Sequence, residues 1–143
     1  MPFTPLHMGP GILLKAILQG GFSLMVFGWA QIVMDIQPLV VIITGEGHLH
    51  GFSHTYVGAT VIAIIVGLTG KYLAEFGLEV IGVLEQQNII KIKWLVVFIS
   101  SLIGTYSHVL LDSMMHSDVN PFYPLSQANG MFGLISFYYD PSN

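Results

Sequence analysis

Charge is so scarce in this chain that an ordinary water-facing surface cannot be built from it. Eight acidic residues and four lysines are spread over 143 positions, there is no arginine, and 53% of the residues are hydrophobic. A soluble domain of average composition has about a quarter of its residues charged. The apolar surface must therefore be hidden in lipid or in partner subunits, and lipid is the better fit. The length suits one domain, residues 1–143. The expected class is all-α: a small polytopic membrane helical bundle, with a helical hairpin, two long helices, and histidines and aspartates clustered at one end.

The same scarcity excludes several function classes. A formal net charge of −4 without arginine leaves no basic stripe for nucleic acid. Without cysteine there is no disulfide, thiolate zinc site, iron–sulfur cluster or cysteine nucleophile, so any metal must be held by imidazole and carboxylate. Met1 to Gly11 has no basic region or small-residue cleavage site and is not read as a removable signal peptide.

A first apolar stretch, Gly11 to Met34, is long enough for one span of about twenty residues. Its middle reads Gln19-Gly20-Gly21, a poor helix interior and a good turn. One continuous helix would separate His7 from Asp35 by about 40 Å at the α-helical rise. Two helices, about 5–18 and 22–34, would fold back and bring them to one end, and this hairpin is preferred. Thr4 and Pro5 suit a helix start, whereas Pro10 falls a turn further in. Residues 36–44 are apolar but too short to span, and either dip into the membrane or pack over the site. A glycine-punctuated loop, Gly45 to His54, holds three of the six histidines.

A clear span follows from Thr55 to about Gly70, with Gly58, Ala59, Ala63, Gly67 and Gly70 permitting close helix packing. Lys71 to Glu85 is amphipathic and extends this helix or lies along the bilayer, with Glu75, Glu79 and Glu85 read as a solvated face. After a polar break at residues 86–88, Trp94 to about Met115 forms the last strong helix. The tail from Pro121 suits an interfacial cap better than a span. In this arrangement Lys15, Lys71, Lys91 and Lys93 fall on one side and all six histidines on the other. The positive-inside rule then places the histidines on the outer, periplasm-like face.

The sharpest local signal is His108, Asp112 and His116, spaced i, i+4, i+8 along one face of the last helix. Ionisable groups in a membrane segment usually face an interior cavity and are functional. His7, Asp35 and the loop histidines converge on the same level if the bundle alternates in direction. Mixed imidazole and carboxylate suits zinc, manganese or iron(II). The plainer reading is a hydrogen-bonded polar cap at the membrane interface. Among the loop histidines, His54 ranks above His48 and His50, which remain open as ligands, supporting partners or proton carriers. Glu46 is a candidate general base and is equally readable as a flexible loop residue. Asp118 reads as a cap for the Asn120-Pro121 turn. Ser53 beside His54 is a weak nucleophile signal, because adjacent helical residues do not face each other.

Taken in order, Thr4-x-x-His7, a hairpin ending in Asp35, Gly51-Phe52-Ser53-His54-Thr55, and Ser107-His108-x3-Asp112 followed by Pro121 and Pro124 carry a resemblance. They resemble the small bacterial inner-membrane metal-dependent hydrolases, a group distantly similar to zinc-dependent phospholipase C. The resemblance runs from His7 to about Ser126. Members often show Pro-Asp-x-Asp at the end of the second helix and His-Arg-Gly before the loop histidine. Here the corresponding residues are Met34-Asp35-Ile36-Gln37 and Leu49-His50-Gly51, with one carboxylate and no arginine.

The resemblance implies an integral inner-membrane hydrolase that cleaves an ester or phosphoester at the interface, with a lipid-linked substrate, through a metal-activated water. Its divalent metal, zinc before manganese or iron, would be held by His7, Asp35, His54, His108 and Asp112, with Glu46 and His116 as the catalytic candidates. The rival expectation is a non-catalytic integral membrane subunit, in a homo-oligomer or larger assembly, whose His/Asp residues form a structural metal site or polar network. A proton pathway is set aside, since the ionisable residues cluster at one end.

Overall fold

The computed structural model describes residues 5–85, 88–89 and 91–134. A 3-10 turn, Pro5–Met8, leads into α1, Gly9–Leu18. Pro10 thereby falls in the first turn of α1, where a missing N–H is harmless, and not inside a longer helix. Thr4, the expected cap, lies outside the described residues. At the other end of α1, Gln19 takes a positive φ of 43° and Gln19–Gly21 form a second 3-10 turn. The Lys15 ammonium donates to the Gln19 and Phe22 carbonyls at 2.7 and 2.8 Å, covering acceptors that the helix end leaves free. The chain then reverses into α2, Leu24–Met34, whose Ser23 cap accepts a hydrogen bond from Val26 N–H. The hairpin expected from Gln19-Gly20-Gly21 is present.

Residues 36–44 depart from expectation. They form α3, Ile36–Thr44, which follows α2 with only Asp35 between. Leu24–Thr44 together make a 21-residue candidate span. Pro38 cannot donate to the Met34 carbonyl, so the helix is interrupted at Asp35. The backbone bonds Asp35 N–H to Gln31 O and Leu39 N–H to Asp35 O carry the path across the joint. The break puts Asp35 inside a span and not at its end.

Two long helices follow: α4, Tyr56–Val80, and α5, Trp94–Met115. Both are long and apolar enough to cross a membrane, as is α2 with α3. A two-residue antiparallel ladder, β1 (Leu84–Glu85) with β2 (Asn88–Ile89), links them. The core lies where α2, α4 and α5 meet, around Val26, Ala30, Val66, Ala74 and Val97, with Met34, Ala59 and Val109 nearer the histidine end. The outward faces carry Ile12, Leu13, Ile17, Val61, Ile64, Ile65, Leu68 and Leu95, as a lipid-facing surface requires.

Glu75 is not on a solvated face. It is buried, ion-paired with Lys71, and its carboxylate accepts the Ile92 N–H at 2.9 Å, because the chain entering α5 folds back over α4. The tail returns to the histidine end: Pro121 O accepts from Tyr56 N–H at 2.9 Å, and Asn129 donates to the Ser113 and His116 carbonyls. Its last residues, 135–143, lie outside the described part.

Close approach of α2 to α5 depends on Gly104, where an added Cβ would stand 2.7 Å from the Ala30 Cβ and 3.3 Å from the Phe27 carbonyl. Gly104→Leu is expected to destabilise the bundle by about 1–3 kcal/mol through overpacking. Gly20→Ala, with open space around it, should leave stability unchanged. Thermal unfolding in detergent micelles of the two variants beside wild type checks both.

Candidate metal centre

Four chain segments meet at one end of the bundle, and each is placed by a local device. His7 sits in the 3-10 turn before α1, and the hairpin returns Asp35 to its level. His54 closes the 3-10 turn Phe52–His54, and Thr55 caps α4 by accepting from Gly58 N–H at 2.9 Å. A Cβ at Gly58 would fall 2.0 Å from the Phe52 carbonyl, so glycine is needed for this turn to rest on α4. Gln37 of α3 holds the loop from the side, accepting from Ser53 N–H at 3.0 Å. His108 and Asp112 project from successive turns of α5.

The centre of the cluster is the Asp112 carboxylate. His7 Nε2 lies 3.0 Å from its Oδ1, and His54 Nε2 and His108 Nε2 lie 3.1 and 3.2 Å from its Oδ2. Asp35 Oδ1 is 3.5 Å from His108 Nε2. The His7 and His108 rings stack with centroids 4.2 Å apart. All five side chains are buried, His54 and His108 completely.

Proximity is common to a metal centre and a hydrogen-bonded cap, and the orientation of the rings is a second observation. His7 Nε2 makes a good hydrogen bond to Asp112. His54 Nε2 and His108 Nε2, though as close, meet the carboxylate outside hydrogen-bond geometry, and both are buried with no other partner. Buried polar groups are almost always satisfied, and two exceptions side by side call for an explanation. The other nitrogens of these rings are engaged. His108 Nδ1 lies 2.8 Å from Gln31 Oε1, and the Gln31 amide is oriented by donating its N–H to the Gly104 carbonyl at 3.0 Å. His108 Nδ1 therefore carries a proton, and in the neutral imidazole the lone pair is on Nε2. Ser53 Oγ holds His54 Nδ1 at 2.8 Å. Adjacent residues meet here because the turn is 3-10 and not the interior of an α-helix.

The spacing also fits an ion. Two ligand atoms about 2.0–2.1 Å from one metal lie roughly 3.3 Å apart across a tetrahedral edge. His7, His108 and Asp112 each offer a ligand atom within 4.8 Å of the others, as do Asp35, His54 and His108. The five residues expected as ligands are thus brought together. Of the other candidates, His116 Nε2 stands 4.0 Å from Asp112 Oδ1 on the more open side. Glu46 and His48 are exposed on the loop, and none of the metal-compatible groups among the described residues includes them.

Two residues, Gln31 and Asp118, gain parts that sequence reasoning missed. Gln31 stands four residues before Asp35, so a polar pair at i, i+4 inside an apolar helix was the available signal. His50 and Asp118 meet through Nδ1 and Oδ2 at 2.8 Å, so Asp118 pairs with the loop histidine. These groups lie outside the spans. Burial, and then the neighbouring His50, hold the His116 imidazole below its ordinary value. Partial burial pushes the Asp118 carboxyl up, but the hydrogen bond to His50 and the charge there outweigh it and leave it below the usual carboxylate range.

The YdjM inner membrane protein family matches residues 13–143, nearly the whole chain. The chain belongs to that family. No curated protein and no solved structure matches it. Family membership and three apolar helices make it an integral protein of the bacterial inner membrane. The matched stretch contains Asp35, His54, His108 and Asp112, while His7 precedes it.

Gln31→Leu strands the His108 Nδ1–H in the core. It is expected to cost about 1–3 kcal/mol, read as a lower unfolding midpoint in detergent. Ser107→Ala, which removes only a hydroxyl bonded to its own helix at Gly104 O, should shift the midpoint far less.

Proposed function

We propose that this protein is a membrane-embedded, metal-dependent hydrolase acting on an ester or phosphoester at the membrane interface. The observation that carries the reading is the pair of fully buried Nε2 atoms, on His54 and His108, that converge on Asp112 outside hydrogen-bond geometry. Ligands waiting for a cation account for both.

His7, Asp35, His54, His108 and Asp112 would hold the divalent ion, with zinc favoured by the nitrogen-rich, thiolate-free set. When bound, such an ion supplies a Lewis acid and lowers the pKa of a coordinated water toward 7. Gln31 and Ser53 orient the imidazoles from behind, the arrangement that fixes tautomer and ring direction in metal sites. The core of α2, α4 and α5 closes the inner side against water. His116, about a third exposed and beside Asp112, is the group placed to carry a proton at Nε2 between the site and solvent. Glu46 stands away from the cluster on the loop, and the proton-transfer role goes to His116.

The substrate class follows from position. The cluster lies where α4 begins and α5 ends, with Asp35 at the α2–α3 break, beside the apolar outer faces of the bundle. An ester there is one whose remaining part is lipid-soluble. The four lysines flank the opposite end, which orients the site toward the periplasm under the positive-inside rule.

Purified wild-type protein should contain zinc, manganese or iron at one equivalent or more by elemental analysis. His108→Ala and Asp112→Ala should lose it together with hydrolysis of lipid-linked esters and phosphoesters. His116→Ala should keep the inner ion while turnover falls about 10²–10⁴-fold. A folded wild type that takes up no metal after supplementation sinks the reading. Metal without any turnover across the ester panel transfers it to the non-catalytic subunit.

Orientation has its own test, made simple by the absence of cysteine. In spheroplasts, a membrane-impermeant maleimide should label His48→Cys and leave Gly20→Cys unlabelled until the membrane is opened. The reverse pattern would place the site on the cytoplasmic face.

A further inference from the structure

Beside the buried cluster lies a second convergence of ligand-type side chains, of which the proposed centre uses only His116, as a proton carrier. His50 comes from the glycine-rich loop, His116 from the residue that ends α5, and Asp118 from the turn that follows. One ligand atom from each lies within 4.8 Å of the other two. The two imidazoles stack with centroids 4.5 Å apart and an interplanar angle of 26°.

We propose that His50, His116 and Asp118 form a second, outer cation site that takes a divalent first-row transition metal at the mouth of the inner centre. The proposal rests on reading the inner cluster as a metal centre, to which this site is joined. A ligand atom of His50 also falls within 4.8 Å of ligand atoms on His54 and Asp112, and His116 Nε2 lies 4.0 Å from Asp112 Oδ1. The two sets therefore form one continuous run of imidazoles and carboxylates from the core to the surface.

The chemistry of the set selects the ion. Two imidazoles and one carboxylate suit zinc, cobalt, nickel or manganese and are poor for calcium or magnesium, which prefer all-oxygen shells. Three protein ligands leave positions open to water or to a substrate oxygen, as in catalytic and not structural sites. The frame is built independently of any ion. Asn129 fixes the backbone at residue 116 by donating to its carbonyl at 3.0 Å, and Gln37 holds the loop through Ser53. The residues are graded in exposure: the side chain of His50 is 10% exposed, that of His116 30% and that of Asp118 55%. An ion here exchanges with solvent, while an ion in the inner centre is enclosed. Loading the outer site commits the His116 imidazole to coordination. A phosphoester at this mouth would then be bordered by two cation-holding sets, and ions in both would supply Lewis-acid stabilisation of its oxygens.

The competing account is that His50 and Asp118 merely pin the loop by their hydrogen bond. Equilibrium dialysis of the detergent-purified full chain against zinc separates the two, using wild type, Asp118→Asn, His50→Gln and His108→Ala. Wild type should bind two equivalents, the second at least tenfold more weakly. Asp118→Asn and His50→Gln should each keep the tight ion, which also shows that they are folded, and lose the weak one. His108→Ala should lose the tight ion. One tight equivalent in wild type, unchanged in Asp118→Asn and His50→Gln, overturns the outer site and leaves the inner centre standing. Loss of both ions from both outer variants likewise overturns a separate site. No zinc in wild type overturns the inner reading and the outer site with it.

Discussion

A carboxylate enclosed by imidazoles at the end of a membrane bundle sets the terms for the rest of this structure. Asp112 is buried, and removing a charged carboxylate from water costs several kcal/mol unless it is paired and hydrogen-bonded. His7 hydrogen-bonds it, and His54 and His108 bring their Nε2 atoms from two further segments to within 3.2 Å. The chain path answers this demand. A hairpin returns the N-terminal turn to the level of Asp35, a 3-10 turn delivers His54, and a glycine at position 58 lets that turn rest against α4.

Packing and chemistry are linked through α2. Its inner face supplies Val26 and Ala30 to the core, then Gln31 and Asp35 to the site, within three turns. Gln31 is bonded on one side to the α5 backbone at Gly104 and on the other to His108. The same close approach of α2 and α5 at Gly104 that excludes a Cβ therefore also orients an imidazole. Helix packing and ligand orientation are one constraint here, because small residues let backbones approach and so bring a short polar side chain within reach of the next helix.

The opposite end of the bundle obeys a different rule. Lys71, Lys91 and Glu75 form an ion-pair cluster tied to the backbone at Ile92. It fastens the connection between α4 and α5 and offers no imidazole. The imidazoles and aspartates of one end are thus kept apart from the lysines of the other.

Much of this was written along the chain. The scarcity of charge required lipid-facing helices, Gln19-Gly20-Gly21 required a reversal, and the i, i+4, i+8 spacing required His108, Asp112 and His116 to share a face. Those are local or compositional properties, readable because helical periodicity and turn preference act over a few residues. Other features depended on the assembled bundle. Residues 36–44 form a helix beyond Asp35 because backbone bonds bridge the break left by Pro38. Glu75 is buried because a distant backbone folds over it. Which nitrogen of His108 carries a proton is decided by a glutamine 77 positions away. The pairing of His50 with Asp118 spans 68 positions. Sequence by itself determined which residues could be ligands and at which end they would lie. Only tertiary structure decided which of them converge and which lone pairs are left facing inward, because tautomer and burial are set by neighbours across the fold.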